Sequence, residues 1–289
     1  MSRRGVTGIA IVIAWVLGIA AFARRELTRS ESERLTESAL RVAPGATYFA
    51  VMRGGKHIGF ASSTVDTLPA RIQVTDYLVA DVPARGGATL RRETVRARVR
   101  LTRSLALRDF LVQHTTDSVP RIVRGRVLSD TILDFVVREA TGPRGRTLDS
   151  VRHVLRGQVT PDPLVPILTM VDGRPRIGRE TQYAMLDVSA GTLQQASVRI
   201  AAETLFVVPD SAAYDAGAAK WRAAHNDSVR AWRLEGVAGR LWVDALGRAV
   251  RHERPDGVTL QRTAYELAFE NWRAVSPLSG KKGPPSSNP

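Results

Sequence analysis

One uncharged segment near the start of the chain restricts the fold more than any other feature. The nineteen residues from Gly5 to Ala23 carry no charged side chain. As a helix rising 1.5 Å per residue, they cover roughly the 30 Å hydrocarbon core of a bilayer. Two arginines precede the segment and two follow it, which suits both headgroup layers. The segment therefore predicts one transmembrane helix that anchors everything after it.

The anchor has a competing interpretation as a cleaved secretory signal, because Ala21-Phe22-Ala23 fits the small-x-small rule for cleavage. The apolar region exceeds the usual length of about 7 to 15 residues, and arginines directly after it suit an interfacial anchor, so we favour retention. Either interpretation predicts export, and we expect a single-pass inner-membrane protein with its bulk on the periplasmic side. The residues expected to contact lipid are Ile9, Ile11, Ile13, Trp15, Leu17 and Phe22.

The rest of the chain is typical of antiparallel β-structure. Gly54-Gly55 separates two apolar runs and suits a tight hairpin turn. In the segment TVRARVRLTR, residues 94–103, apolar side chains alternate with arginines, as in a strand with one wet face. We expect a short helix in residues 160–175 that crosses or plugs one end of the sheet, and an exposed helix in the alanine-rich residues 210–232.

These patterns predict a mainly β fold, a curved antiparallel sheet or half-barrel with one or two short helices, after one transmembrane helix. The expected division is an anchor at 1–25, a juxtamembrane helix or spacer at 26–45, a β-rich extracytoplasmic domain at 46–272 and a disordered tail at 273–289. The tail is rich in Pro, Gly and Ser, which favours disorder.

Two hairpins resemble a known module. YFAVMRGGKHIGFASS, residues 48–63, is similar to the opening strand pair of the β-rich module that precedes the catalytic domain in bacterial membrane-anchored transglutaminase-like proteins. LWVDALGRAVRHERPDGVTLQR, residues 241–262, resembles its closing Trp-x-Asp-x-x-Gly hairpin, and the style is shared with half-barrels of the lipoprotein-carrier type. The resemblance implies a β-rich fold over residues 46–268. The family's enzymatic part uses Cys, His and Asp, and this chain has no cysteine, so we do not expect that chemistry.

The polar residues suggest binding more than catalysis. The net charge of +14 favours an anionic partner, and arginine's planar fork suits phosphate. The competing interpretation is coding bias toward GC-rich codons, since 38 of the 42 basic residues are arginines. The candidate anion-binding residues are Arg96, Arg98 and Arg100; the alternative is a solvated strand face. Trp221 and Trp232 are candidate contacts to a partner or the membrane surface from an amphipathic helix; the alternative is that they cap the edge of the core.

No catalytic constellation, metal site or cofactor is predicted, because the five histidines lie far apart and no nucleotide-binding or nucleophile motif occurs. Aromatic residues are not interleaved with arginine, so nucleic acid is not an expected partner. We favour a non-enzymatic envelope protein whose partner is the lipid bilayer. It acts either as an accessory subunit docked on a membrane-protein complex or as a binder of an amphipathic ligand. The alternative is an exported, hydrolase-like enzyme whose site assembles only in space.

Overall fold

The structure is a computed structural model that describes residues 42–84, 87, 89–116, 119–129, 131–140, 146–155, 157–171 and 175–278. The predicted anchor, residues 26–41 of the spacer and residues 279–289 of the tail lie outside this range. Within it, no helix has the length and apolar character needed to cross a bilayer.

Fifteen strands form one continuous sheet in the described residues. Every neighbouring pair is antiparallel except β9 and β10, which are parallel. β1 pairs with both β2 and β15, so the sheet runs outward from β1 in two directions, ending at β8 and at β9. The strands are β1 Gly45–Arg53, β2 Lys56–Leu68, β3 Arg71–Pro83, β4 Leu90–Leu101, β5 Leu107–Thr116, β6 Arg121–Ser129, β7 Ile132–Glu139, β8 Arg146–Val154, β9 Val159–Pro161, β10 Glu180–Asp187, β11 Thr192–Asp215, β12 Lys220–Glu235, β13 Arg240–Val243, β14 Ala249–Glu253 and β15 Val258–Thr263.

Strand β4 illustrates why these segments are extended. Ala97, Val99 and Leu101 are buried, whereas the arginines between them lie on the other face. A period of two suits a sheet with one buried face. The expectation of a mainly β chain with a large curved sheet is confirmed, as is the turn at Gly54-Gly55, where both glycines have positive φ.

The predicted plug helix is confirmed as a 3₁₀ turn, Asp162–Leu164, followed by the helix α1, Val165–Val171. Ile167 and Leu168 pack in a core cluster with strands β2 to β7, β9 and β10. Val165 and Met170 pack in a second cluster with strands β10 to β13. Because α1 contacts both clusters, it fills the concave side of the curved sheet.

The two edges of the sheet approach each other. The turn after β10 lies so close to Phe135 of β7 that a Cβ on Gly191 would stand 1.8 Å from its ring. The His153 ring on β8 hydrogen-bonds to the carbonyl oxygen of Gly191, at 3.2 Å. The sheet therefore curls into a barrel-like shape around α1.

The prediction of a helix in residues 210–232 is wrong, since these residues belong to the long hairpin of β11 and β12. Val208 and Ala231 are buried against Val250 of β14. This contact and the cross-strand hydrogen bonds of the hairpin outweigh the weak helix preference of its alanines.

A second short helix lies near the end of the described chain. A π-helical turn, Glu266–Glu270, leads into α2, Asn271–Val275. Ala268 and Trp272 pack on Phe60 and Val79, on the side of the sheet opposite to the main core. Since α2 continues past residue 272, the boundary predicted for the disordered tail is too early.

Candidate functional site

The outer face of strands β3 to β8 carries two neighbouring cross-strand rows of polar side chains. Both follow from the register of the sheet, and each takes one residue from each strand. The first row is Gln73, Arg100, Asp109, Arg126, Asp134 and Arg152. The second row is Thr75, Arg98, Leu111, Arg124, Val136 and Ser150.

The first row alternates in charge from β4 to β8. Arg100 Nε lies 2.6 Å from Asp109 Oδ1, and Arg152 Nε lies 3.7 Å from Asp134 Oδ1. Opposite charges facing each other across strands contribute up to about 1 kcal/mol each to sheet stability. This row therefore neutralises much of its own charge and stabilises the sheet.

The second row has no acidic residue. Arg98 and Arg124 stand on either side of Leu111, and neither forms an ion pair with a described residue. The Nε–H of Arg98 is buried and has no hydrogen-bond partner among the residues that the structure describes. A buried donor without an acceptor costs about 1–3 kcal/mol. The Nε–H of Arg98 is therefore a donor that the described fold leaves unused, as are those of Arg71, Arg91, Arg233 and Arg251.

The two rows border an open hollow of about 600 Å³ over strands β4, β5 and β6, which we name the arginine concavity. Arg108 joins it because it is the extra residue of a β-bulge between β4 and β5. Among the residues that the structure describes, Asp109 is the only acidic one in its lining. The lining arginines are Arg98, Arg100, Arg108, Arg124 and Arg126.

The three arginines predicted to bind anions therefore have different surroundings. Arg98 and Arg100 line the concavity. Arg96 instead lies over the ring of Tyr77, at 5.6 Å from its centroid, where the attraction between cation and ring holds it. Burial raises the pKa of Tyr77, while the charges of Arg96 and Arg92 act in the opposite direction.

Arg92, in the same strand, has a structural role. Its Nε lies 3.0 Å from the buried carboxylate of Asp81, and its guanidinium lies 5.2 Å from the ring centroid of Trp272. Its Nη2 donates a hydrogen bond to Ser276 Oγ at 2.8 Å. These contacts fasten the end of α2 to the sheet.

Sequence reasoning missed Arg108, Arg124 and Arg126. A signal was present for two of them, because RGR at 124–126 repeats the alternation seen in β4. What the sequence does not give is the register that sets Arg124 beside Leu111.

The chain enters the sheet at the level of the concavity. Gly45, the first residue of β1, belongs to the same cross-strand row as Val99 of β4 and Phe110 of β5. Val65 of β2 and Val74 of β3 lie between them in that row. Arg98 and Arg100 flank Val99 along its strand. The segment that precedes residue 42 therefore joins the domain at the end that carries the arginines.

Two half-buried carboxylates lie on the other side of the sheet, beside α1. Burial raises the pKa of Asp162 to about 7, and the nearby charges of Asp187 and Asp76 contribute to the rise. The hydrogen bond that the N–H of Val188 donates to Asp162 Oδ1 lowers this pKa and so opposes the rise. Burial also raises the pKa of Asp76, against a hydrogen bond from Ser63. Asp162 ties the start of the plug to the residue that follows β10.

The five histidines do not form a site. Among the described residues, no group of three or more His, Asp or Glu side chains is arranged to hold a metal ion. His153 bonds to Gly191, whereas Asp149 accepts a hydrogen bond from the backbone of Ser150, so the two have separate partners. The other contacts are His57 with the backbone of Gly59 and Ala268, His114 with Glu93, His225 with Asp210, and His252 with Ala238.

The two tryptophans predicted to contact a partner lie in β12, not on a helix. Trp232 is only 7% exposed and belongs to the second core cluster, so it offers no surface to a partner. Trp221 is half-buried against Tyr214, with the ring centroids 5.4 Å apart. Its backbone N–H and C=O both bond to the side chain of Asn271, at 2.9 Å each, which fixes the hairpin to α2.

Asp244 explains the Trp-x-Asp-x-x-Gly pattern. Its Oδ1 accepts the backbone N–H groups of Leu246 and Arg248, and its Oδ2 lies 2.8 Å from Arg248 and 3.0 Å from Arg262. Gly247, with φ of 75°, completes the turn against α1, where a Cβ would lie 2.4 Å from the Cα of Ile167. The pattern therefore builds a turn that seats the plug.

Comparison with known proteins gives only distant similarity. No family model matches the sequence, and no curated protein matches it. A β-barrel-like protein of domain of unknown function DUF1849 from Brucella abortus is 10% identical, with a TM-score of 0.47 over 77% of this chain and 96% of that chain. A DUF1089 family protein from Pseudomonas aeruginosa is 11% identical, with a TM-score of 0.32 over 66% of this chain and 88% of that chain. The resemblance to transglutaminase-associated modules stays a prediction.

Proposed function

We propose that this chain is a non-enzymatic envelope protein, held in the inner membrane by residues 5–23, whose β domain rests its arginine concavity on anionic headgroups. The observation that carries the proposal is the set of five lining arginines beside one acid, Asp109, among the described lining residues. About 1 kcal/mol of attraction per arginine is typical near an anionic membrane surface.

The position of the concavity supports this role. The chain joins the sheet at the same end as Arg98 and Arg100, so an anchor before residue 42 brings that end toward the membrane. If residues 26–41 form the predicted helix, they span about 24 Å, which limits how far the domain can stand from the bilayer.

Of the two roles considered from sequence, docking as an accessory subunit has more support than carriage of an amphipathic ligand. A carrier needs an open apolar pocket. Here α1 and large side chains fill the concave side of the sheet; Ile72, Leu101, Phe110 and Leu133 are each at most 1% exposed. We therefore propose a packed domain that acts through its outer surface.

The proposal is tested with the full chain reconstituted into lipid vesicles. The natural sequence has no cysteine, so a single Val154→Cys substitution gives one labelling site. Val154 is 73% exposed and pairs with Ile132 beside the concavity, without lining it. A fluorophore there reports contact with a quencher carried on lipid headgroups, and a label on Val207→Cys, 71% exposed on the distant hairpin, is the control.

We expect the chain to float with neutral vesicles in high salt because of its anchor, and the label at 154 to be quenched only when anionic lipid is present. Charge reversal of the lining arginines Arg98, Arg100 and Arg124 to Glu should weaken this apposition by about 100-fold or more, since three arginines contribute about 3 kcal/mol. The matched control reverses the exposed arginines Arg222, Arg230 and Arg240 and leaves quenching unchanged. Failure to float, or quenching independent of anionic lipid, would contradict the proposal.

A further inference from the structure

We propose that Arg98 and Arg124 form a specific binding site for a phosphomonoester group, in the headgroup of a lipid or free in solution. This inference rests on the proposed function and deepens it, because it names the chemical group that the arginine concavity selects. General attraction to negative charge needs no particular arrangement of arginines, whereas this site depends on one pair and its surroundings.

The first argument is the difference between the two rows. Arg100 and Arg126 are each beside Asp109, and Arg126 is also beside Asp134. Arg98 and Arg124 have only uncharged cross-strand neighbours: Thr75 and Leu111 beside Arg98, and Leu111 and Val136 beside Arg124. Among the arginines of the two rows, this pair is therefore the one without an acidic cross-strand neighbour.

The second argument is the spacing of the pair. Arg98 lies on β4 and Arg124 on β6, with Leu111 of β5 between them. Two strand spacings separate their Cα atoms by about 9.5 Å. Two long side chains on such a base can approach one phosphate from opposite sides, each donating hydrogen bonds of about 2.8 Å to its oxygens. The half-buried Leu111 gives the site an apolar floor that weakens competition from water.

The third argument is the unused donor. The buried Nε–H of Arg98 has no acceptor within the described part of the chain. Once the Arg98 side chain turns to expose this nitrogen, two phosphate oxygens can accept from its Nε–H and a terminal N–H in the fork geometry that arginine favours. Arg108 and Arg126 add further positive charge at the rim.

The ligand class follows from the number of oxygens and the charge. A phosphomonoester has three terminal oxygens. Because its second pKa is about 6, as in phosphorylated side chains, its charge near pH 7 lies between about −1.5 and −2. A phosphodiester has two terminal oxygens and one negative charge. Two guanidinium forks that face each other are better matched by the monoester, because each fork can then engage two oxygens with one of them shared.

The test compares two anionic lipids with the labelled full chain. Vesicles contain either phosphatidic acid, a monoester, or phosphatidylglycerol, a diester, adjusted to the same surface charge. We expect the concentration of anionic lipid that gives half-maximal quenching at residue 154 to be at least ten-fold lower for phosphatidic acid than for phosphatidylglycerol. A second arm adds methyl phosphate or dimethyl phosphate to the chain in neutral vesicles and follows binding by calorimetry.

Three variants separate the site from general charge. Arg98→Lys and Arg124→Lys keep the charge but lose the fork, so each should remove the preference for phosphatidic acid while apposition to phosphatidylglycerol remains. The matched control, Arg96→Lys, lies beside Tyr77 and outside the lining and should keep the preference.

The outcomes distinguish this inference from the proposed function. Binding of methyl phosphate but not dimethyl phosphate supports a site for the free group, and a preference confined to phosphatidic acid supports a lipid headgroup. Equal response to both lipids, with no binding of methyl phosphate, overturns the phosphomonoester site and leaves the proposed function intact. Loss of all dependence on anionic lipid overturns both.

Discussion

Replacing Asp162 by Asn should change how the stability of the fold depends on pH. Asp162 begins the turn that leads into α1, and its Oδ1 accepts the N–H of Val188 at 3.1 Å. Burial and the neighbouring carboxylates of Asp187 and Asp76 raise its pKa from 3.8 to about 7. Asparagine keeps the acceptor oxygen but never becomes negatively charged, so the variant isolates the cost of ionising this carboxyl group.

The direction follows from proton binding. Between pH 4 and 7 the folded state keeps the proton of Asp162 while the unfolded state has released it, so the stability that this group contributes falls as the pH rises. A shift from 3.8 to about 7 corresponds to about 4 kcal/mol at 1.36 kcal/mol per pKa unit. Because the side chain is only half-buried by its accessible surface, we expect Asp162→Asn to gain about 2–4 kcal/mol over the natural chain at pH 8, and little at pH 4.

Urea unfolding of the full chain in detergent micelles, followed by tryptophan fluorescence between pH 4 and 8, measures this difference. Asp227→Asn, on an exposed part of β12, is the control and should leave the pH profile unchanged. If the stability difference between Asp162→Asn and the natural chain is the same at pH 4 and pH 8, the reasoning about this buried carboxyl is refuted.

Two further substitutions test how the site is supported. Gly125→Ala should destabilise the fold by about 1–3 kcal/mol through overpacking, because its Cβ would stand 2.0 Å from Cε1 of the Phe110 ring. Adding Phe110→Leu to this variant should partly restore stability. An unchanged urea midpoint for Gly125→Ala would argue against this packing. Asp244→Ala should cost about 3 kcal/mol, since it removes the shared partner of Arg248 and Arg262 and a buried ion pair is costly to break. Asp244→Asn, which keeps the acceptor for the turn's N–H groups, should lose less, and equal melting temperatures for the two variants would contradict this account.

The arginine concavity was predictable in part. Arg98 and Arg100 stand out because alternation along one strand is a local pattern, and a local pattern decides which face a side chain occupies. Arg124 was not assigned, because its position beside Leu111 depends on the pairing of β5 with β6. Arg108 reaches the lining through a bulge, which adds a residue to one strand only and leaves no clear mark on the sequence.

The hairpin of β11 and β12 shows the opposite case, in which a local pattern misled. Residues 210–232 contain many alanines and have a fair helix preference. In the folded chain they pair with each other over the length of the hairpin, and Val208 and Ala231 cover Val250. Contacts between residues far apart in sequence outweighed a local preference of a few tenths of a kcal/mol per residue.

The sequence by itself determined most of the strands, the tight turns at Gly54-Gly55 and Gly247, and the plug helix, because periodicity and turn chemistry act over a few residues. The tertiary structure alone decided that the sheet edges meet around α1, that Asp162 lies near two other carboxylates, and that Arg98 and Arg124 form a pair without acidic cross-strand partners. Each of these depends on register and curvature. Both properties arise from hydrogen bonds and packing between distant strands, which the local pattern of a single strand does not specify.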